Sequence, residues 1–553
     1  PDPVVDPPRE NPTIIQVETE FEEGSTEAAS FLMSASFGPT EDSINELVDM
    51  GFSEWFVRQQ QMPVNSILDD TNPNFRDTTN QLWETVPREV WYERAIYGED
   101  QLRQRAAFAL SQIFVVSTEP RNWLFKSHLH ARYMDILQEG VYGNFRDLMQ
   151  NVTYSPLMGE WLTYIGNEKA DERTGNAPDE NYAREIMQLF TIGLLELDDS
   201  GQPRLNSSGE VIETYDTEDV SELAKVFTGL WWDETRRFGE GISRPAVRSR
   251  DTKPMVMFDA FHSPEAKSFL GHTIPAGTGG NESISQALDV LFEHQNVGPF
   301  IGKQLIQRLT TSNPSPDYVN RVTNAFNQGN YTLPDGTIVG SGERGDMAPV
   351  WAAILFDIEA RSDARFADNT YGKLREPIVR WVHWARIAGD VEPDMLSDRD
   401  LRLDGTQRIL GQNPFRSNSV FNFYRPGFRA GGSITAANGL VAPELQITTS
   451  TTAVNYPNFI MEYIFRDGGN DGWIGSYVDQ VVLANDADEL IEYLNLTMTA
   501  GRMTERTKDA VRETINSVDV SSGNNNRRNR ALRDRVQLAM LLVATSQEFN
   551  TQQ

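Results

Sequence analysis

Apolar residues recur every three to four positions from about residue 25 to the end of the chain, in short runs separated by glycine, proline or polar breaks. That spacing lines one face of an α-helix and does not fit the strict alternation of a half-buried strand. Segment 40–61 carries Ile44, Leu47, Val48, Phe52, Trp55 and Phe56, with Gly51 as a stop between two short helices. Segment 88–117 holds Trp91, Ala95 and Ile96, breaks at Gly98, and resumes through Leu102, Ala106, Ala109, Leu110 and Ile113. Segments 130–148, 155–165 and 181–195 predict further helices. Thr217, Glu218 and Asp219 supply a cap and first-turn acids for another, running through Leu223, Val226 and Phe227. Near the end, 488–499, 504–515 and 529–549 read as helices, with a flexible connector at 521–526.

The middle is looser. Residues 231–258 are Arg-rich without a clear period, and 329–346 reads as a small hairpin or loop turning at Pro334-Asp335-Gly336. Residues 413–481, rich in Asn, Gly, Pro and aromatics, predict irregular structure over a helical base. No repeat of fixed period is present. The expected fold is all-α: one multi-helix body with a large irregular, aromatic-rich segment and minor β-hairpin insertions. Its divisions are an extended Pro-rich segment 1–24, helical parts 25–230 and 231–410, the irregular segment 411–484, and C-terminal helices 485–553.

With 553 residues the chain can bury one large core or several smaller ones. Its formal charge of −31 repels phosphate backbones and argues against a nucleic-acid partner. Eight of the 49 basic residues are lysines and the other 41 arginines. A GC-rich genome raises Arg over Lys, but the carboxylate excess instead suits a saline setting, where carboxylates hold hydration. There is no cysteine, which removes disulfides, thiolate metal sites and cysteine nucleophiles together. The longest apolar run, at 539–544, is far below the ~20 residues that a membrane-spanning helix needs. The start, Pro1-Asp2-Pro3-Val4-Val5-Asp6-Pro7-Pro8-Arg9, has no initiator Met and reads as a mature end left after removal of a targeting segment. A periplasmic, cell-surface or extracellular location is therefore expected.

Common catalytic signatures are missing: no GxSxG, no GxxxxGK[ST], no GxGxxG before a helix, and no HExxH. His128 and His130 are two apart, which on a helix points them to different sides. The run Asp467-Gly468-Gly469-Asn470-Asp471-Gly472 starts like a calcium loop. Val478 occupies the twelfth position, where a bidentate Glu is needed, so an EF-hand is rejected. No metal and no cofactor is expected. Glu180 and Arg184 are four apart, an ideal helical pair, and Asn181, Glu185 and Gln188 share a neighbouring face. Two carboxylates beside a guanidinium can do acid/base work or clamp a carboxylated ligand; equally they form a buried ion-pair network, with Arg184 paired to a carboxylate. His262, with Glu265 in a loop before Lys267, is either a third catalytic group or a histidine that caps a loop. Trp231, Trp232, Phe415, Phe421, Phe423, Tyr424 and Phe428, interleaved with Arg416, Arg425 and Arg429, could hold a partner or stack sugars. They could as readily pack an irregular segment onto the helices. If 421–424 is extended, Phe421 and Phe423 point into the body and Tyr424 points out, available to a partner together with an arginine such as Arg416.

Two stretches carry a resemblance. One is Pro178-Asp179-Glu180-Asn181-Tyr182-Ala183-Arg184-Glu185-Ile186-Met187-Gln188-Leu189-Phe190-Thr191-Ile192-Gly193, the other Phe261-His262-Ser263-Pro264-Glu265-Ala266-Lys267-Ser268-Phe269-Leu270-Gly271. Between them lie Asp219-Val220, Leu223-Ala224 and Phe227-Thr228-Gly229-Leu230-Trp231; after them come Gly372-Lys373-Leu374-Arg375-Glu376-Pro377 and the terminal Ala544-Thr545-Ser546-Gln547-Glu548-Phe549. In this order they closely resemble the bacterial exported family catalogued as domain of unknown function eighteen hundred, from about residue 25 to the end. Ser263 stands where that family often has Asp, which weakens a metal reading of the motif. The resemblance implies export and a partner from a second exported family, domain of unknown function fifteen-oh-one, but no reaction. The leading expectation is a surface or extracellular assembly or binding protein, contacting a partner chain, a polymer or further copies of itself. The alternative is a hydrolase or lyase acting on an extracellular polymer through Glu180, Glu185 and His262.

Overall fold

The local signals act where the sequence places them. In the computed structural model, which describes residues 24–71, 86–117, 127–233, 252–389, 409–465, 475–521 and 525–553, helix α1 (Ser25–Ala35) precedes α2 (Glu41–Met50), which opens on a capping box between Thr40 and Ser43. Gly51, at φ 84°, lets α3 (Phe52–Gln61) start at once. After α4 (Ile67–Thr71) come α5 (Val86–Tyr97) and α6 (Gln101–Ser111), separated by Gly98 as the sequence predicts. The single helix expected over 130–148 is two, α7 (Ser127–Gly140) and α8 (Phe145–Thr153). Asn144 ends the continuity by accepting the backbone N–H of Arg146 as an N-cap. Helix α9 (Pro156–Trp161) is followed by α10 (Asn181–Glu185), which runs into a π-helical turn, Ile186–Thr191. The helix predicted to reach residue 195 stops there because Gly193, at φ 71°, turns the chain away. Helix α11 (Thr217–Val226) is capped by Asp216, one residue earlier than expected; Asp219 returns the bond from the third position.

The middle holds α12 (Gly280–Glu293), α13 (Val297–Leu309), α14 (Pro316–Gln328), α15 (Met347–Leu355), α16 (Ile358–Arg361) and α17 (Pro377–Ile387). Three short antiparallel ribbons decorate it. β1 (Leu230–Trp231) pairs with β2 (Val256–Met257), β3 (Lys267–Phe269) with β4 (His272–Ile274), and β5 (Tyr331–Thr332) with β6 (Ile338–Val339), the last around the predicted Pro334-Asp335-Gly336 turn. Irregular chain dominates from 411 to 449, interrupted by α18 (Ile434–Ala437). Inside the stretch expected to be irregular, α19 (Ser450–Ile464) is a fifteen-residue helix that tolerates Pro457, opened by a Thr449–Thr452 capping box. Then follow α20 (Val478–Leu483), α21 (Ala487–Thr499), α22 (Glu505–Asn516), α23 (Asn525–Thr545) and α24 (Gln547–Asn550).

Helices carry the architecture, with only two-stranded ribbons beside them. One continuous apolar cluster runs from Ala28 to Phe549, so N- and C-terminal helices share a core. Helix α13 packs against α14, α15 and α6, and α23 against α19 and α22. The last strand, β8 (Thr551–Gln552), pairs with β7 (Lys373–Leu374) and fastens the chain end to the middle. No helix among the described residues is long and apolar enough to cross a membrane. Both the N-terminal segment 1–23 and the calcium-like run 467–472 lie outside the described residues.

Candidate functional site: a cationic cavity over a buried charge network

Helix α13 has two unlike faces. Ile301, Leu305, Ile306 and Leu309 are buried in the core. Phe300, Lys303, Gln304, Gln307 and Arg308, at helical spacing i, i+3, i+4, i+7 and i+8, form a second stripe that lines a cavity of about 670 Å³. Opposite it stand Gln188, Leu189 and Gly193 from the π-turn and its exit, Leu194, Leu195 and Pro203 from the following loop, and Val420, Phe421, Tyr424, Arg425 and Arg429 from the irregular segment. Gly193 is glycine for two reasons: its φ is positive, and a Cβ there would lie 2.7 Å from the Phe300 ring. Gln112, Gln304, Gln307, Arg308, Ser312 and Tyr424 are buried and make the floor, while Leu194, Phe421, Arg425 and Arg429 are exposed and make the mouth.

Among the described residues four cations line this cavity, Lys303, Arg308, Arg425 and Arg429, and no carboxylate does. Arg308 spends its guanidinium on the carbonyls of Gln304 (2.9 Å) and Gln112 (3.0 Å). Arg425 stacks on Phe421, 4.7 Å from the ring centre. Half-buried Lys303 has no ion pair or hydrogen bond among the described residues, and burial alone pulls its pKa down.

Behind the floor is an enclosed charge network. Lys373 pairs with Glu444 at 2.9 Å, both side chains almost wholly enclosed. The Lys373 ammonium also donates to the carbonyl of Arg308 (2.8 Å), which accepts Arg105 as well (2.6 Å). Glu376, at the start of α17, accepts from Gln112 (2.7 Å) and from Gln412. Tyr424 donates to Gln112 at 3.2 Å and so joins floor to network. Burial raises the Glu444 carboxyl, opposed by Lys373, and raises the Tyr424 hydroxyl far more. The arginines Arg105 and Arg308 are fully enclosed, and burial lowers both.

The residues singled out in the sequence fall in different places. Arg184 does pair with Glu180 (3.0 Å), but both are about two-fifths exposed, so the expectation of a buried pair is corrected. Glu180 precedes the first residue of this five-residue helix and Arg184 is its fourth; the buried face is Tyr182, Ala183 and Glu185 instead. Asn181 is exposed too; Glu185 is buried, and burial raises its pKa against the pull of Arg184. His262 is enclosed between the carbonyl of Thr228 (2.9 Å) and the hydroxyl of Ser283 (3.2 Å), and burial lowers its pKa, so the ring is neutral and ties the loop before β3 to the exit of α11 and to α12. Among the described residues no hydrogen bond or electrostatic interaction joins His262 to Glu180 or Glu185, and none of the three lines the cavity. Trp231 closes over Gly166, where a Cβ would lie 2.4 Å from its ring, and Trp232 is buried.

In the aromatic segment the expected orientation is reversed: Tyr424 is 4% exposed and Phe421 38%. Asn422 adopts a positive φ of 61°, so the strand alternation that would send Tyr424 outward does not exist. Tyr424 thus faces the cavity rather than a partner surface. Arg416 bridges to Ser117 and, with Arg88, helps burial hold the His130 ring neutral, its pKa lowered to about 3. Reading the sequence missed α13 altogether; the signal was its second, polar stripe. Among the described residues no three His, Asp or Glu side chains gather as a metal set.

The family described as protein of unknown function DUF1800 matches residues 30–551. The chain belongs to this family. No curated protein and no solved structure matches it significantly. Two of the DUF1800 motifs meet at the cavity: Gln188, Leu189 and Gly193 of the first motif line it, and Lys373 and Glu376 of the Gly372–Pro377 motif stand behind its floor. Gly372, at φ 104°, has the carbonyl of Gln552 2.5 Å from where a Cβ would be, so the motif glycine is what lets the chain end dock there. The Asp219–Trp231 and Phe261–Gly271 motifs instead pack on one another, through α11 and β3.

Proposed function

We propose that this DUF1800 protein is an exported binding protein whose site is the cavity beside α13, and that it does not act as a hydrolase through Glu180, Glu185 and His262. The observation that carries the reading is the cavity itself. It lies within the usual size range for small-molecule sites, ~300–1,000 Å³, with apolar walls and a few fixed polar groups. The alternative needs two carboxylates and a histidine facing a common space. Instead Glu180 is half-exposed and paired, Glu185 is buried, and His262 is locked between two partners.

Export rests on the resemblance, and the strongly acidic composition suits a saline exterior. A partner from the second exported family goes with that reading, with no contact surface assigned to it. The test is a thermal-shift screen of a small-molecule library against the wild-type chain and a cavity-filled variant, Leu189→Trp. At least one ligand class should raise the wild-type melting temperature and leave the variant unmoved. Equal shifts in both proteins would place the site elsewhere. Polymer cleavage abolished by Glu185→Gln would establish the hydrolase instead.

A further inference from the structure

We propose that the cavity takes an amphiphilic organic monocarboxylate, its headgroup paired with Lys303 and its apolar body against Leu189, Leu194, Leu195 and Phe300. This rests on the cavity being a binding site. Acidic residues number 80 in the chain against 49 basic ones, yet the lining inverts that balance, with four cations and no acid among the described residues. A cationic ligand would meet four like charges, from α13 and from the irregular segment. A neutral one would leave the Lys303 ammonium half-buried and unpaired, which is the costly arrangement for a charge.

Lys303 is the anchor because the other cations are engaged or peripheral. Arg308 is committed to two backbone carbonyls, Arg425 lies on the Phe421 ring, and Arg429 is exposed at the mouth. A single ammonium with three donors and one charge matches one carboxylate. The arginines at the mouth add a positive field that steers an anion inward. The walls favour a hydrocarbon body for the rest of the ligand: Leu189, Leu194, Leu195 and Phe300 face the space, and the floor glutamines Gln112, Gln304 and Gln307 already bond within the protein.

The probes are decanoate, 1-decanol and decyltrimethylammonium, titrated calorimetrically into the full chain at pH 7.5 and low salt. Decanoate should bind at least tenfold more tightly than decanol, and the ammonium compound should give no binding. Lys303→Met should weaken decanoate about tenfold and leave decanol unchanged, while Lys303→Arg should retain most of the preference. Equal affinity for decanoate and decanol, or no effect of Lys303→Met, overturns the anion assignment and leaves the binding reading standing. Absence of binding by all three probes also overturns it, and the library screen then judges the binding reading separately. If Lys303→Met does not fold, the wild-type ratio of decanoate to decanol decides the matter alone.

Discussion

Removing the Lys373 ammonium should be among the most damaging single changes to this protein, for a reason the structure separates into two parts. Lys373 donates to the Arg308 carbonyl, but Arg105 donates to the same oxygen, so the lost hydrogen bond is partly covered and costs only ~1 kcal/mol. The larger part is Glu444. Its side chain is 1% exposed, and Lys373 is its ion-pair partner at 2.9 Å. Stranding one member of a buried pair costs about 3–5 kcal/mol, so the charge, not the hydrogen bond, dominates. Burial already raises the Glu444 pKa with Lys373 present, and removing Lys373 raises it further. A raised carboxylate contributes stability in full below its unfolded pKa and loses it as pH climbs through the folded value. Lys373→Met should therefore be mildly destabilising near pH 5 and lose the full ~3–5 kcal/mol by pH 8. Adding Glu444→Gln removes the stranded charge and should restore about half of that loss. Urea unfolding followed by tryptophan fluorescence at both pH values measures each step. A Lys373→Met midpoint equal to wild type at pH 8, or a double variant weaker than the single one, would refute the reasoning.

Tyr424→Ala should destabilise by about 3–5 kcal/mol as a buried ring, Tyr424→Phe by ~1 kcal/mol through the bond to Gln112, and Phe421→Ala by much less, since it stands at the mouth; denaturant midpoints rank the three. Arg184→Ala should cost under ~1 kcal/mol, because an ion pair this exposed is screened, and a larger loss by calorimetry would mean that Arg184 has a buried role. Asp135 accepts from Ser66 and from the N–H groups of Ile67 and Leu68, and burial raises its pKa to about 6. Its ionisation should thus remove up to ~3 kcal/mol as pH rises from about 4 to above 6, and the stability-versus-pH slope should flatten over that interval in Asp135→Asn. For the whole chain, the melting temperature should rise from dilute buffer to roughly seawater salt as self-repulsion is screened; an unchanged or falling value rejects the saline reading.

What the sequence made legible was local. Thr40, Gly51, Gly98 and the Pro334-Asp335-Gly336 turn act on their own neighbours, and the helices around them follow from spacing that any reader of the chain can count. The Glu180–Arg184 pair was equally legible, but its burial was not, since burial depends on what lies opposite. Tyr424 shows the same limit: its side is decided by the positive φ of Asn422 and by Gln112, which lies 312 positions away. Proline and asparagine made α19 look irregular, though a helix can absorb Pro457 where tertiary packing holds it against α23.

The stripe on α13 is the most instructive case. Lys303, Gln304, Gln307 and Arg308 have the spacing of any solvent-facing stripe, and periodicity cannot tell water from an internal cavity. What distinguishes them is company. A solvent face of a chain with charge −31 should mix acids with its bases, whereas α13 from Val297 to Leu309 contains no acid at all. Helices α6 and α17 likewise carry two arginines each and no acid, and those arginines are buried or half-buried too, so the bias marks enclosed cations rather than solvent-facing ones. That bias was visible before any coordinates, but only the packing shows that on α13 the enclosed cations face a cavity.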